Sequence, residues 1–245
     1  MTDPTPLLVL AAALWGAAAG AFLPRAAYRF SVPAGEEWRK ACPEGHRIRG
    51  WIGRARCGEC APAQPYDGQG VLLPVVTALL CAALAAATGT RPEIGVWLLL
   101  APVGVLLAVV DLRVQRLPDP LTLPFAAAAL LLLGALSFVP EHTGDWPHAA
   151  LGALALGGGY FVLFLINPAG MGFGDVKLSL GIGALLGWYG WPTVMLGTFA
   201  GFLLGALYGG ALVVARKAGR KTAIPFGPFL IMGAFVGLLV GAYAA

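Results

Sequence analysis

Two aspartates stand where acidic side chains are costly. Asp111 closes the apolar run Leu98–Val110, and Asp175 lies within Gly170-Met-Gly-Phe-Gly-Asp-Val-Lys177, between two long apolar stretches. A carboxylate among membrane-type segments marks a functional site by default. Two carboxylates brought together cannot both ionise easily, so they share a proton and titrate as a pair. Such a pair can hydrolyse a peptide bond. The ionised member takes a proton from water as it attacks the scissile carbonyl; the protonated member polarises that carbonyl and later donates to the leaving amine.

Each aspartate also has a plainer reading. Asp111 could be an interfacial partner of Arg113 or Arg116, and Asp175 could cap the helix through Val176-Lys177-Leu178. Gly172-Phe-Gly174 gives the backbone before Asp175 access to conformations closed to other residues, and lets it lie close to a substrate strand. Asp119 reads as the N-cap of a helix beginning near Leu121, with Thr122 in its first turn. Pro118, reinforced by Pro120, is expected to break the helix that carries Asp111.

A second cluster has metal-ligand chemistry. Cys42-Pro-Glu-Gly-His46 is followed by Cys57-Gly-Glu-Cys60, and two close pairs joined by a short loop could place four N/S ligands around zinc. On a reducing cytoplasmic face a disulfide is disfavoured. The alternative is a loop with incidental thiols. Cys81, inside an apolar run, reads as a small core residue.

The elements that must hold these groups are membrane helices. Of 245 residues, 58% are hydrophobic and 11% charged, against roughly a quarter charged in soluble domains. The 35 glycines suit close helix packing in lipid. Eight candidate spans are Leu7–Ala27, Val71–Ala87, Ile94–Val110, Leu121–Val139, Ala149–Ile166, Val176–Tyr189, Pro192–Ala215 and Phe226–Ala244. The sixth is short and rich in glycine. The expected class is therefore an all-α polytopic membrane protein. Met1-Thr-Asp-Pro-Thr-Pro6 carries no Lys or Arg, so Leu7 onward reads as a retained span, with a cleaved signal left open by the small residues at 17–21.

Charge sets the orientation. Of the 16 Lys and Arg residues only Arg91 falls outside the loops that follow spans one, three, five and seven. Those loops are therefore expected in the cytoplasm and both termini outside. Trp146, Trp188 and Trp191 are expected at membrane interfaces. The chain divides into a first span (1–29), one sizeable polar cytoplasmic loop (30–70) and a membrane region carrying both aspartates (71–245). The net charge of +4 is thus topological, and no nucleic-acid partner is expected. His142 and His148 lie on the face opposite the aspartates, and no Ser-His, Cys-His or Walker-type arrangement is present. A transporter or channel using its aspartates for cations or protons is the rival class, but it would predict inverted-repeat symmetry that the sequence lacks.

Asp111-Leu-Arg-Val-Gln-Arg-Leu-Pro-Asp-Pro-Leu-Thr-Leu-Pro124 and Gly172-Phe-Gly-Asp-Val-Lys-Leu178 resemble the two aspartate motifs of prepilin peptidases, the type IV leader peptidases of the GxGD kind. Gly20-Ala-Phe-Leu23, with Arg29 after it, is similar to the family's first-span motif, and Pro225-Phe-Gly-Pro-Phe-Leu230 to the one opening its last span. Presenilin-like proteases share GxGD, but their partner aspartate usually follows tyrosine; here Val110 precedes Asp111. The resemblance implies Asp111 and Asp175 as a catalytic dyad, with Gly172, Gly174, Lys177 and Asp119 as supporting motif residues and no cofactor for the peptidase reaction. The implied substrate is the basic leader of a type IV prepilin or pseudopilin, cut after a glycine at the cytoplasmic face of the bacterial inner or plasma membrane.

Members with a long first loop often also methylate the new N-terminus with S-adenosylmethionine, and that loop usually holds two CxxC pairs. Here Cys42…His46 stands in place of the first pair. The usual basic stretch after Cys60 reads Ala61-Pro-Ala-Gln-Pro-Tyr-Asp67. The peptidase expectation rests on intact motifs; the methyltransferase and zinc expectations rest on altered ones.

Overall fold

In a bilayer every backbone polar group needs a partner within the protein, so long apolar runs resolve into helices. A computed structural model describes residues 5–60, 65–66, 70–168, 170–215 and 224–245. Its helices are α1 (Thr5–Phe30), α2 (Leu72–Thr88), α3 (Ile94–Val114), α4 (Asp119–Leu136), α5 (Trp146–Ile166), α6 (Phe173–Gly187), α7 (Trp191–Val214) and α8 (Gly227–Ala244). Among the described residues there is no strand, only the isolated bridges Ala41–Arg47 and Arg56–Pro65 in the polar loop. Six helices are long and apolar enough to cross a membrane; α2 and α6 are shorter. The basic run Arg216–Lys221 lies outside the described residues.

Neighbours in sequence pack as pairs, α1 on α2, α5 on α6 and α7 on α8, while α6 also touches α4, α7 and α8. That makes the short sixth helix the centre of the bundle, buried almost without break from Asp175 to Gly187. Glycine is what allows it. A Cβ at Gly183 would overlap the carbonyl of Gly152 on α5, and one at Gly187 would lie 3.0 Å from the Ala149 Cα. The two backbones therefore touch, as small-residue interfaces in lipid require. At 15 residues α6 spans about 22 Å, against about 30 Å of hydrocarbon. Its neighbours enclose it from Asp175 onward, while Phe173 at its start stays exposed.

The structure revises several local expectations. α3 does not stop at Asp111 but runs another turn to Val114, where Gln115 takes a left-handed conformation (φ 50°) and ends it. α4 begins at Asp119 itself; the N-cap position is Pro118, with no side-chain cap bond. The backbone there is extended, which suits the residue before a helix whose next proline fits its first turn. Trp146 and Trp191 are partly exposed, but Trp188 is buried. Gly144 makes room for its indole, since a Cβ there would overlap the ring. Cys81 is fully buried, as expected of a core thiol.

The end of the bundle away from Asp111 and Asp175 explains the one misplaced basic residue. Arg91 donates to the carbonyls of Thr88 at 2.7 Å, Ala87 and Ala242, and to the Thr143 hydroxyl at 3.2 Å. Its guanidinium also approaches the fully buried Glu93 at 3.9 Å. Thr143 donates to Glu93 at 2.7 Å, and Tyr189 lies within hydrogen-bond distance of the same oxygen. Arg91 is thus a tie between helix ends rather than a free charge.

Candidate functional site

At the opposite end, Asp111 and Asp175 are both buried, at 5% and 7% exposure. Asp111 sits in the last full turn of α3 and Asp175 in the first turn of α6. The N–H of Gly227, first residue of α8, donates to Asp111 Oδ2 at 3.1 Å. The N–H of Gly172 donates to Asp175 Oδ2 at 3.1 Å. Asp175 therefore does cap its helix, but with one oxygen only; Oδ1 is buried and has no partner among the described residues. The two carboxylates lie within electrostatic range of each other. Arg116 is not the partner of Asp111, because its guanidinium is engaged by the carbonyls of Val32, Pro33 and Glu36.

Leu117, in the turn between α3 and α4, is the spacer of this site. A Cβ on Gly174 would lie 2.8 Å from the Leu117 Cβ, and one on Gly227 would lie 3.3 Å from its Cδ1 and 2.8 Å from Asp111 Oδ2. Glycine is required at both positions by close approach. The expectation that Gly172-Phe-Gly174 uses conformations barred to other residues does not hold: Gly172 has φ −75°, Gly174 is helical, and neither is among the positive-φ glycines.

Lys177, one turn into α6, donates to Asp119 Oδ1 at 2.6 Å and lies 4.9 Å from the centre of the Phe173 ring. Asp119 is thus the ion-pair partner that fastens the start of α6 to the start of α4, and not the cap read from the sequence.

The second cluster also assembles. Ligand atoms of Cys42, His46, Cys57 and Cys60 all lie within 4.8 Å of one another. Cys42 Sγ is 3.8 Å from Cys60 Sγ and 3.6 Å from His46 Nδ1, and Cys60 Sγ is 3.4 Å from that nitrogen. A tetrahedral zinc with bonds of about 2.3 Å to sulfur and about 2.0–2.1 Å to nitrogen has S–S edges of about 3.8 Å and S–N edges of about 3.5 Å. The donor set fits zinc in kind, and the distances among Cys42, His46 and Cys60 fit it in spacing, with Cys57 within 4.8 Å of all three. The replacement of one cysteine by His46 keeps a four-ligand set.

Arginines dock this loop onto the bundle. Arg25 of α1 donates to the carbonyls of Arg49, Ile52 and Arg54, and Arg29 to those of Arg39 and Gly50, with its guanidinium 3.7 Å from the centre of the Trp51 ring. Arg116, one residue before Leu117, donates to Pro33 O at 2.8 Å, reaches Val32 O and Glu36 O at 3.4 Å, and stacks on Trp38 at 4.1 Å. Arg25, Arg29 and Arg116 are thus structural donors. Residues 61–64 and 67–69, which include most of the stretch that stands in place of the usual basic segment after Cys60, lie outside the described residues.

Sequence reasoning singled out 225–230 only by motif; the structure gives Gly227 a task. It passed over Leu117, and also Tyr160, a tyrosine set in the apolar run 151–166 whose polar atom was the available signal.

Comparison with known proteins gives the chain its family. Residues 98–210 match the type IV leader peptidase family; that stretch contains Asp111, Asp119, Asp175 and Lys177. A protein of Aeromonas hydrophila named prepilin leader peptidase/N-methyltransferase is 38% identical over 201 residues, covering 78% of this chain and 64% of that protein. One of the same name from Aeromonas salmonicida is 37% identical over 236 residues, covering 87% and 74%. Another from Pseudomonas putida is 29% identical over 280 aligned positions, covering 98% and 92%. No solved structure matches the chain.

Proposed function

Because the chain belongs to the type IV leader peptidase family, we propose that it is a membrane aspartic endopeptidase that removes the leader of a type IV prepilin or pseudopilin, with Asp111 and Asp175 as its dyad. The observation that carries this reading is the burial of both carboxylates at one end of the bundle, in mutual electrostatic range, each with one oxygen held by a backbone N–H. Those bonds orient the side chains before substrate arrives, so little reorganisation remains at the moment of reaction. Water attacks the scissile carbonyl carbon and gives its proton to the ionised aspartate, while the other aspartate's proton passes to the carbonyl oxygen. The tetrahedral intermediate then collapses, the C–N bond breaks, and the amine leaves with a proton from the dyad.

The same reading places the loops after α1, α3, α5 and α7 in the cytoplasm, both termini outside, and the protein in a bacterial inner membrane. The Lys and Arg distribution supports it. A substrate whose apolar helix is embedded in the bilayer then brings its basic leader to the end where the aspartates lie. Gly172 lends its N–H to Asp175, Gly174 permits the close approach of Leu117, and the Lys177–Asp119 pair holds the start of α6 in register.

Cys42, His46, Cys57 and Cys60 would hold one zinc. With four protein ligands it has no open position, so it stabilises the loop and takes no part in hydrolysis. The names of the relatives also support N-methylation of the new N-terminus, for which S-adenosylmethionine would be the methyl donor. Mass spectrometry of the mature pilin N-terminus tests that activity.

The decisive experiment is co-expression with a candidate prepilin. Asp111→Asn and Asp175→Asn should each leave the leader uncut while the protein stays in the membrane. Asparagine at 175 can still accept from the Gly172 N–H, so loss of the cap cannot account for the result. Efficient processing by either variant removes the dyad.

A further inference from the structure

Asp175 Oδ1 is one of two orphaned polar atoms in the same region. The other is the hydroxyl of Tyr160, on α5, whose side chain is 2% exposed and whose oxygen has no partner among the described residues. The packing of α5 on α6 puts the two at one level. Gly152 meets Gly183, Gly157 accommodates Leu180 one turn on, and the next turn carries Tyr160 to the start of α6. The hydroxyl and the Asp175 carboxylate are within electrostatic range of each other, yet they are not hydrogen-bonded together. The ring is fixed by its neighbours: it stacks on Phe202 at 5.8 Å and meets Phe226 at 6.0 Å. Phe226 directly precedes Gly227, whose N–H holds Asp111. Tyr160 is thus locked against both halves of the site while its one polar atom is left unused.

A buried hydroxyl and a buried carboxylate oxygen, each without a partner, are rare in a folded protein and call for a group that serves both. We propose that the Tyr160 hydroxyl is a third catalytic group, which together with Asp175 Oδ1 holds the water that attacks the scissile carbonyl. The inference rests on the dyad reading above. The water gives one O–H to Asp175 Oδ1 and the other to the Tyr160 oxygen, leaving a lone pair for the carbonyl carbon. As the C–O bond forms, the first of these protons passes to Asp175; tyrosine keeps its own proton throughout and is neither acid nor base. Positioning of this kind acts on the chemical step more than on substrate binding.

Tyr160→Phe isolates the oxygen, because the ring and its contacts with Phe202 and Phe226 remain. With purified full-length enzyme in lipid vesicles and a prepilin substrate, kcat should fall about tenfold, the rate equivalent of one buried hydrogen bond. KM should be unchanged, the pH–rate profile should keep its shape, and thermal stability should match wild type. A merely structural tyrosine would leave Tyr160→Phe fully active, and that result overturns the proposal. So does a raised KM at unchanged kcat, or loss of one limb of the pH profile, which would make the hydroxyl a substrate contact or a titrating acid. Full activity in Tyr160→Phe with none in Asp111→Asn and Asp175→Asn would remove the hydroxyl and leave the dyad. Cleavage surviving in the aspartate variants would remove both.

Discussion

The carboxylate of Asp111 is held by the backbone of Gly227, 116 positions later in the chain, at 3.1 Å. A side chain at 227 would push directly on that oxygen and on Leu117. Gly227→Ala should therefore lower leader cleavage at least about tenfold, since small misplacements of a reacting group are costly. Alanine is a better helix former than glycine, so thermal stability should not fall in parallel. Wild-type cleavage rates in Gly227→Ala would show that α8 does not set the position of Asp111.

The Lys177–Asp119 pair is a weaker element. Asp119 is 57% exposed in its side chain, and such pairs contribute about 0.2–1 kcal/mol. A double-mutant cycle with Lys177→Met and Asp119→Asn, read by thermal unfolding in detergent, should return a coupling in that range that shrinks as salt rises. Fully additive effects would mean that the contact does no fastening.

Much of the fold was legible in the sequence because lipid leaves an apolar run few alternatives to a helix. All eight apolar runs came through as helices for that reason, six of them long enough to cross a membrane. What escaped was decided by contacts distant along the chain. Asp119 has the residue type and place of an N-cap, but Lys177 reaches it across the bundle, and Pro118 takes the cap position instead. Trp188 has the composition of an interfacial anchor, yet Gly144 opens a slot that buries it. The Cys/His spacing foretold the cluster; the arginine anchors beneath it, spread over α1, the loop itself and the α3–α4 turn, left no local pattern.

The cluster makes a chemical prediction. Purified protein should contain about one zinc per chain by elemental analysis, and Cys57→Ser should lose it. In metal-stripped protein the thiols should differ. The Glu59 N–H beside Cys57 holds its pKa below the usual thiol value, whereas burial and the neighbouring Cys57 push Cys60 up to about 12. At neutral pH the Cys57 thiolate fraction is larger, so alkylation should reach Cys57 first. Equal rates at the two, or unchanged rates on adding zinc, would count against a shared site.

The α5–α6 contact offers a stability test. Gly183→Val places three carbons where the Gly152 carbonyl lies, and overpacking of this kind costs about 1–3 kcal/mol. Thermal unfolding should shift downward with cleavage lost alongside, because α6 carries Asp175. An unshifted transition would mean that the two helices are not in backbone contact.

The Arg91–Glu93 network has a mechanical consequence. It sews the α2–α3 turn to Thr143, to Tyr189 and to the carbonyl of Ala242, closing one mouth of the bundle with buried charge. Parting those groups would strand an ion in a dry interior, which makes that mouth the stiff one. At the far mouth the ties are the half-exposed Lys177–Asp119 pair, the Gly227 N–H on Asp111 and the Arg116 bonds to the loop, none of them a buried ion pair.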